Sequence, residues 1–473
     1  MRKVLKWLLI SLVIILILAA GIYSVLRFGY GMDVLDRSGW KEDAGQVQYL
    51  DYYGRPLLGW QEIQGKTYYF DADSGSMHTG WLELNGERYR LADNGTLLTG
   101  WVDTPEGRFF LKEDGTVFSG WRETEEGTYY LSPETGMAKG WLELEQKRYY
   151  FNSQGILQSG WVALKEGQYY LGEDGAAVTG WQELHGERYF FGEDGAVLTG
   201  WQELDGNRYH FSGAGAMTTG WLTEEGKFYF SDEGILQTGW QEIEGDRYYF
   251  NEDGAMHTGW LEEGEDRYYL REDGIMAVGE VVIDGVSNFF TSKGKYVVMV
   301  NPWHLVPEDY ELNLAPIGNF QFDADACDDL QTLLDACRAA GYSCSINNTY
   351  RSVETQQYMW DVRIKDRLEK GMTREEAIAE IGKSLALVGA SEHHLGLAVD
   401  IDGGDATYKW LAENCWDYGF ILRYPDDKIE ITGIIYEPWH FRYVGTELSL
   451  ELEELGLCME EYMDMLTASQ QAG

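Results

Sequence analysis

Three short stretches in the last third of the chain carry residue types that can do hydrolytic chemistry together. They are Asn347-Asn348-Thr349-Tyr350-Arg351-Ser352, Ser391-Glu392-His393-His394-Leu395-Gly396-Leu397-Ala398-Val399-Asp400 and Glu437-Pro438-Trp439-His440-Phe441-Arg442. Two His and one Asp suffice for a catalytic zinc, which takes three protein ligands and leaves the fourth tetrahedral position for water. His393, Asp400 and His440 can supply two imidazole nitrogens and a carboxylate, so Zn2+ is the expected cofactor. Glu437, three residues before His440, is placed to take a proton from the attacking water. Of the eight His in the chain, only His393, His394 and His440 fall in these stretches.

Such residues converge only if a compact fold holds them. From Asp325 to Ala340, Leu330, Leu333, Leu334 and Cys337 share one helical face and Gly341 closes the helix. Thr373-Arg374-Glu375-Glu376 is a capping box that opens another helix, and Tyr342 to Ile346 suits a short strand. We read 297–473 as one α+β domain with a helical tail. The three stretches and their order resemble the VanY-type D-alanyl-D-alanine carboxypeptidases of the zinc-dependent D,D-peptidase superfamily, whose signatures are Tyr-Arg-Ser, Ser-x-His-x6-Asp and Glu-Pro-Trp-His-x-Arg. The likeness runs over about residues 300–446 and includes Leu305 to Tyr310 and Tyr418 to Pro425. It implies that His393, Asp400 and His440 ligate zinc, that Glu437 is the catalytic base, and that Arg351 binds the substrate carboxylate or the developing oxyanion. It also implies that Ser391 and Gln356 line the substrate pocket. His394 is the rival ligand, but the six-residue spacing to Asp400 starts from His393.

Ahead of this domain a Gly-Trp pair recurs twelve times, from Trp40 to Trp260, about every 20 residues. Each copy reads as strand, tight turn, strand, loop, as in Trp201 to Phe211, where Tyr209 and Phe211 face one way and Arg208 and His210 the other. A last copy has Glu280 in place of Trp, as a terminal cap would. One such hairpin cannot bury its aromatic face alone, so the copies are expected to stack into a β-solenoid over 35–296. The array resembles the choline-binding and glucan-binding repeats of Gram-positive surface proteins. In the choline-binding subtype a second Trp precedes the Tyr-Tyr pair. Here that position holds Arg88, Arg108, Arg148, Arg188, Arg208, Arg247 or Arg267 in most copies, and Thr67, Thr128, Gln168 or Lys227 in the others. A cation in the wall of a cation cage opposes its ligand, so a glycan or other wall polymer is favoured; a plain spacer is the alternative.

Composition narrows the partners. With 37 Lys+Arg against 79 Asp+Glu and a formal charge of −42, the chain would be repelled by phosphate backbones, which excludes nucleic acid. All five Cys lie after residue 326 and no Cys-x-x-Cys occurs, so the repeats hold together without disulfides and a four-Cys zinc module is excluded. Arg2, Lys3 and Lys6 precede an uncharged run from Trp7 to Leu26, about the 20 residues of a membrane span. Residues 1–34 are therefore expected to form a cytoplasmic n-region and a single transmembrane signal-anchor, with the body outside the membrane at the wall. Secretion after signal cleavage is the alternative. The whole reads as a membrane-tethered zinc carboxypeptidase that takes the terminal D-Ala from D-Ala-D-Ala stem peptides of peptidoglycan. An L,D-carboxypeptidase acting on tetrapeptide stems and a non-catalytic wall-binding surface protein are the competing readings.

Overall fold

The computed structural model describes residues 2–29 and 37–472. Helix α1 spans Arg2–Gly29. Among the described residues no helix is long and apolar enough to cross a membrane. The side chains of Arg2, Lys3 and Arg27, and the boundary at residue 34, lie outside what is described. The chain divides into two compact units, Met1–Gln202 with His210–Met217, and Glu203–Tyr209 with Thr218–Gly473.

In the first unit the Gly-Trp pattern folds as a run of two-stranded hairpins, with Gly120–Thr124 and the strand at Gly127–Ser132 gaining a short third strand, Gly136–Met137. Gly80–Leu84 and Glu87–Leu91 are joined by Asn85-Gly86, both left-handed at φ 54° and 83°, which is the turn whose twist matches paired strands. Trp121 packs across its own hairpin and onto the next. Trp121 lies 5.2 Å from Tyr130, 5.0 Å from Tyr149 and 5.9 Å from Phe151 between ring centroids. The amide of Leu157 donates to the carbonyl of Thr128 at 2.8 Å, tying successive copies through the backbone. The stacking expected from a hairpin too small to bury its own rings is thus seen locally. Along Asn207–Phe211, Arg208 is exposed and His210 is buried, with its ring 5.3 Å from Trp201.

The Arg that precedes the Tyr pair stacks on the Trp of its own hairpin. Centroid distances are 4.3 Å for Arg88 on Trp81, 4.9 Å for Arg108 on Trp101, 4.4 Å for Arg148 on Trp141 and 4.7 Å for Arg188 on Trp181. In the second unit Arg247 covers Trp240 and Arg267 covers Trp260 in the same way. Trp121 and Trp161, whose hairpins carry Thr128 and Gln168 in place of that Arg, stay exposed.

The second unit holds the last hairpins and the α+β fold. Strand Gly279–Ile283, with Val286–Phe290 and Tyr296–Val297, makes a three-stranded sheet. Glu280 stands where Trp would, because the C-terminal helix covers that place. A Cβ on Gly279 would lie 2.6 Å from the Thr467 amide nitrogen, and the Glu280 amide donates to Thr467 Oγ1 at 2.7 Å. Phe289 shares a small core with Met299, Ile421, Met459, Tyr462 and Met463.

The helices that follow are α2 (Cys327–Ala339), α3 (Val353–Glu369), α4 (Arg374–Ile381), α5 (Asp405–Asn414), α6 (Ile429–Thr432), α7 (Thr446–Leu455) and α8 (Met459–Ala472). Leu330, Leu333, Leu334 and Cys337 of α2 are buried as the periodicity requires, and the Thr373–Glu376 capping box opens α4. The short strand is Ser345–Asn348 rather than Tyr342–Ile346. It edges an antiparallel sheet in the order Ser345–Asn348, Ala398–Asp402, His440–Tyr443, Phe420–Leu422. Side chains alternate along these strands. Val399, Ile401 and Phe441 enter the core under α2, which turns Asp400 and His440 to the opposite face. All five Cys are free thiols.

Candidate metal centre

Asp400 and His440 are directly opposed on neighbouring strands, and Asn348 opposes Asp400 from the other side. His393 rides on a short 3-10 turn, Glu392–Leu395, closed by Gly396 in the left-handed region at φ 74°. A side chain there would also meet Leu314 Cδ2 at 2.6 Å from its Cβ. Three elements therefore deliver three potential ligands to one place, and their donor atoms all lie within 4.8 Å of one another.

The orientations suit a metal. His393 Nδ1 donates to the Thr349 carbonyl at 2.6 Å, which leaves Nε2 directed at Asp400 Oδ2, 3.3 Å away. His440 Nδ1 lies 3.0 Å from Asp400 Oδ1 and 3.9 Å from Glu437 Oε2. The rings of His393 and His440 are 4.9 Å apart and nearly perpendicular. Two imidazole nitrogens and one carboxylate, with a second carboxylate beside them, match the donor chemistry of a catalytic zinc site. His394 is turned away: its Nδ1 donates to the Arg351 carbonyl at 2.7 Å and its Nε2 accepts from the Gly389 amide at 3.4 Å.

The electrostatics fit as well. Burial holds His393 below the usual imidazole range, favouring the neutral ligand form. Burial opposes charge on Asp400, but the two imidazoles outweigh it and hold the carboxyl well below its usual range. For His440 burial is likewise outweighed by the Asp400 and Glu392 carboxylates, which push it up to about 9. Burial raises Glu437 to about 6, in the range that a general base needs near neutral pH.

These groups line a cleft of about 400 Å³, together with Arg351, Arg363, Ser391, Tyr424 and Trp439. Arg351 NH2 lies 3.8 Å from Asp400 Oδ2, and its NH1 donates to Gln356 Oε1 at 2.8 Å. Ser391 is buried at the cleft wall. Gln356 differs from expectation. It is fully buried behind Arg351, donates to the Ala386 carbonyl at 2.6 Å, and holds the guanidinium rather than lining the cleft. Sequence reasoning missed Arg363, which joins the cleft because α3 carries it three turns beyond the Arg351 loop; its spacing along the helix was the available signal. It also missed Glu392, hidden between Ser391 and His393. There burial is outweighed by Arg423 and Arg442, which keep the carboxyl ionised well below its usual range.

Known proteins resemble both the repeats and the C-terminal part of the chain. Residues 319–446 match the family VanY, D-alanyl-D-alanine carboxypeptidase. Residues 38–80, 57–101 and 237–279 match a choline-binding repeat, and residues 179–197 and 199–217 a cell wall binding repeat. A D-alanyl-D-alanine carboxypeptidase of Enterococcus faecalis is 42% identical over 175 residues, 36% of this chain and 65% of that protein, so the chain spans somewhat less than two thirds of that relative. The bifunctional D-Ala-D-Ala dipeptidase and D-Ala-D-Ala carboxypeptidase VanXYC of Enterococcus gallinarum is 37% identical over 145 residues, 27% of this chain and 72% of that protein. A solved vancomycin resistance D,D-pentapeptidase VanY mutant in complex with Zn(II) is 41% identical, covering 35% of this chain and 97% of that one at a TM-score of 0.34. Through its C-terminal α+β fold, the chain belongs to the VanY family of D-alanyl-D-alanine carboxypeptidases.

Proposed function

We propose that the protein is a zinc-dependent carboxypeptidase that removes the terminal D-Ala from D-Ala-D-Ala stem peptides of peptidoglycan. The observation that carries this is the convergence of His393, Asp400 and His440 on one point, with Glu437 beside them and Arg351 across the same cleft. Zinc held by the three ligands supplies Lewis-acid polarisation of the scissile carbonyl and lowers the pKa of water. Glu437 accepts the proton of the attacking water and passes it to the departing D-Ala amine. Arg351, braced by Gln356, makes a charge-assisted bond to the terminal carboxylate or the developing oxyanion. A carboxylate requirement at that place favours a chain end over an internal bond. Ser391 completes the wall on which the substrate lies.

The hairpins are proposed to hold the enzyme to a wall glycan or polymer. Where Arg already occupies a Trp face, a quaternary ammonium has no face to enter, while Trp121 and Trp161 remain available for stacking. Helix α1, whose apolar side chains from Trp7 to Ile22 are exposed, is proposed as the membrane anchor.

The reading is tested by incubating the purified, zinc-loaded protein with muramyl pentapeptide and tetrapeptide and following D-Ala by mass spectrometry, beside Glu437→Gln. Release from pentapeptide that the variant lacks is the expected result. Release from tetrapeptide alone would move the assignment to an L,D-carboxypeptidase, and no Glu437-dependent product from either substrate would overturn the exopeptidase reading.

A further inference from the structure

One carboxylate at the cleft has no part in the chemistry above. The Glu392 side chain is wholly buried, and its Oε1 accepts from Arg423 Nε at 2.8 Å and lies 3.3 Å from Arg442 NH1. Its other oxygen, Oε2, has no hydrogen-bond partner, and neither has His440 Nε2. The two unpartnered atoms lie 3.5 Å apart. A buried donor and acceptor left unmade are costly, and a shift of a few tenths of an ångström joins these two. The other nitrogen of the same ring, Nδ1, faces Asp400 and Glu437, so the two ring atoms point to separate duties.

We propose that Glu392 is a positioning residue: it accepts the Nε2–H of His440 and so fixes the tautomer that presents the Nδ1 lone pair beside Asp400 and His393. The inference rests on the zinc reading above. A carboxylate on the far nitrogen of a ligating imidazole orients the ring and makes it more basic. Glu392 is itself held in place. Arg423 NH2 and NH1 bond Glu460 Oε1 at 2.6 Å and Oε2 at 3.0 Å, and Glu460 accepts from Asn301 Nδ2 at 3.1 Å. Glu460 belongs to α8, beyond the residues that match the carboxypeptidase family. The tail helix thus fastens the clamp that holds Glu392 against the ring.

The test compares Glu392→Gln with Glu460→Gln in the full chain, reading the zinc dissociation constant by chelator competition and the melting temperature of the metal-free protein. Glu460→Gln breaks the same buried cluster without touching His440. The expected result is zinc affinity about 10- to 100-fold weaker in Glu392→Gln, with a markedly smaller loss in Glu460→Gln even where its melting temperature falls as far. Equal losses in the two variants, or unchanged affinity in Glu392→Gln, would overturn the proposal. A wild-type chain that binds no zinc would instead sink the reading on which it rests. Should Glu392→Gln fail to fold, 15N spectra of histidine-labelled, zinc-loaded wild-type protein decide the matter. A proton on His440 Nε2 supports the proposal and a proton on Nδ1 overturns it.

Discussion

Glu437 sits where burial keeps its proton until about pH 6 in the metal-free cleft. A base acts only when ionised, so kcat/KM rises with pH along an acid limb, and the positive charge of zinc moves that limb to or below about pH 6. The expected pH profile of D-Ala release shows this limb, and Glu437→Gln loses about 10²- to 10⁴-fold in kcat. His440 gives a separate signature. Its folded value of about 9 lies above the usual imidazole value of about 6.5. Its contribution to stability is therefore fully present below pH 6.5 and is lost as pH rises through about 9. Thermal melts of the chelated protein should fall across that window, whereas the zinc-loaded protein should lack this slope, because metal takes the proton's place. At this scale residue types and spacing were legible: His393 over His394, Asp400, His440 and Glu437 all read from the chain. The direction of a side chain was not. Gln356 and Arg351 are five residues apart in sequence, and only the packing of α3 against the Ala386 carbonyl turns Gln356 inward.

The hairpin is the unit at which the repeats can be tested. Gly136 has φ 76°, and a Cβ there would lie 2.6 Å from the Arg108 carbonyl oxygen. The left-handed conformation alone costs a side chain about 1–2 kcal/mol, and here rigid backbone stands in the way as well. Gly136→Ala should therefore lower the urea midpoint of the full chain, followed by Trp fluorescence that the repeats dominate. Arg148→Ala removes the cation over Trp141 and should weaken its hairpin by about 0.5–1 kcal/mol while baring a ring face; an increased retention on a quaternary-ammonium matrix would report that face. Period-2 patterning and polar turns carrying Asp or Asn before Gly made the hairpins readable in the sequence. The edge strand slipped to Ser345–Asn348 because its register is fixed by hydrogen bonds to Ala398–Asp402, a partner more than fifty residues away that local propensity does not contain.

Within the second unit, the final hairpin and the catalytic fold share one small core, in which Phe289 packs with Met459, Tyr462 and Met463. The Ser292 amide donates to the Tyr462 hydroxyl at 2.9 Å, and Gln470 Nε2 to the Met276 carbonyl at 3.2 Å. A fragment starting at Val297 strips that face, whereas one starting at Gly274 keeps it. The longer fragment should melt higher and stay soluble at concentrations where the shorter aggregates, by calorimetry and light scattering. The chain by itself determined the repeat, its turns, the amphipathic helix α2, the capping box and the set of residues able to bind zinc, because each is written in local spacing or in residue type. Only the tertiary structure decided which nitrogen of His440 faces the ligands, that Gln356 braces Arg351, and that α8 reaches both the last hairpin and Arg423. Those facts depend on buried contacts between segments distant in sequence, where packing and desolvation rather than local pattern select the geometry.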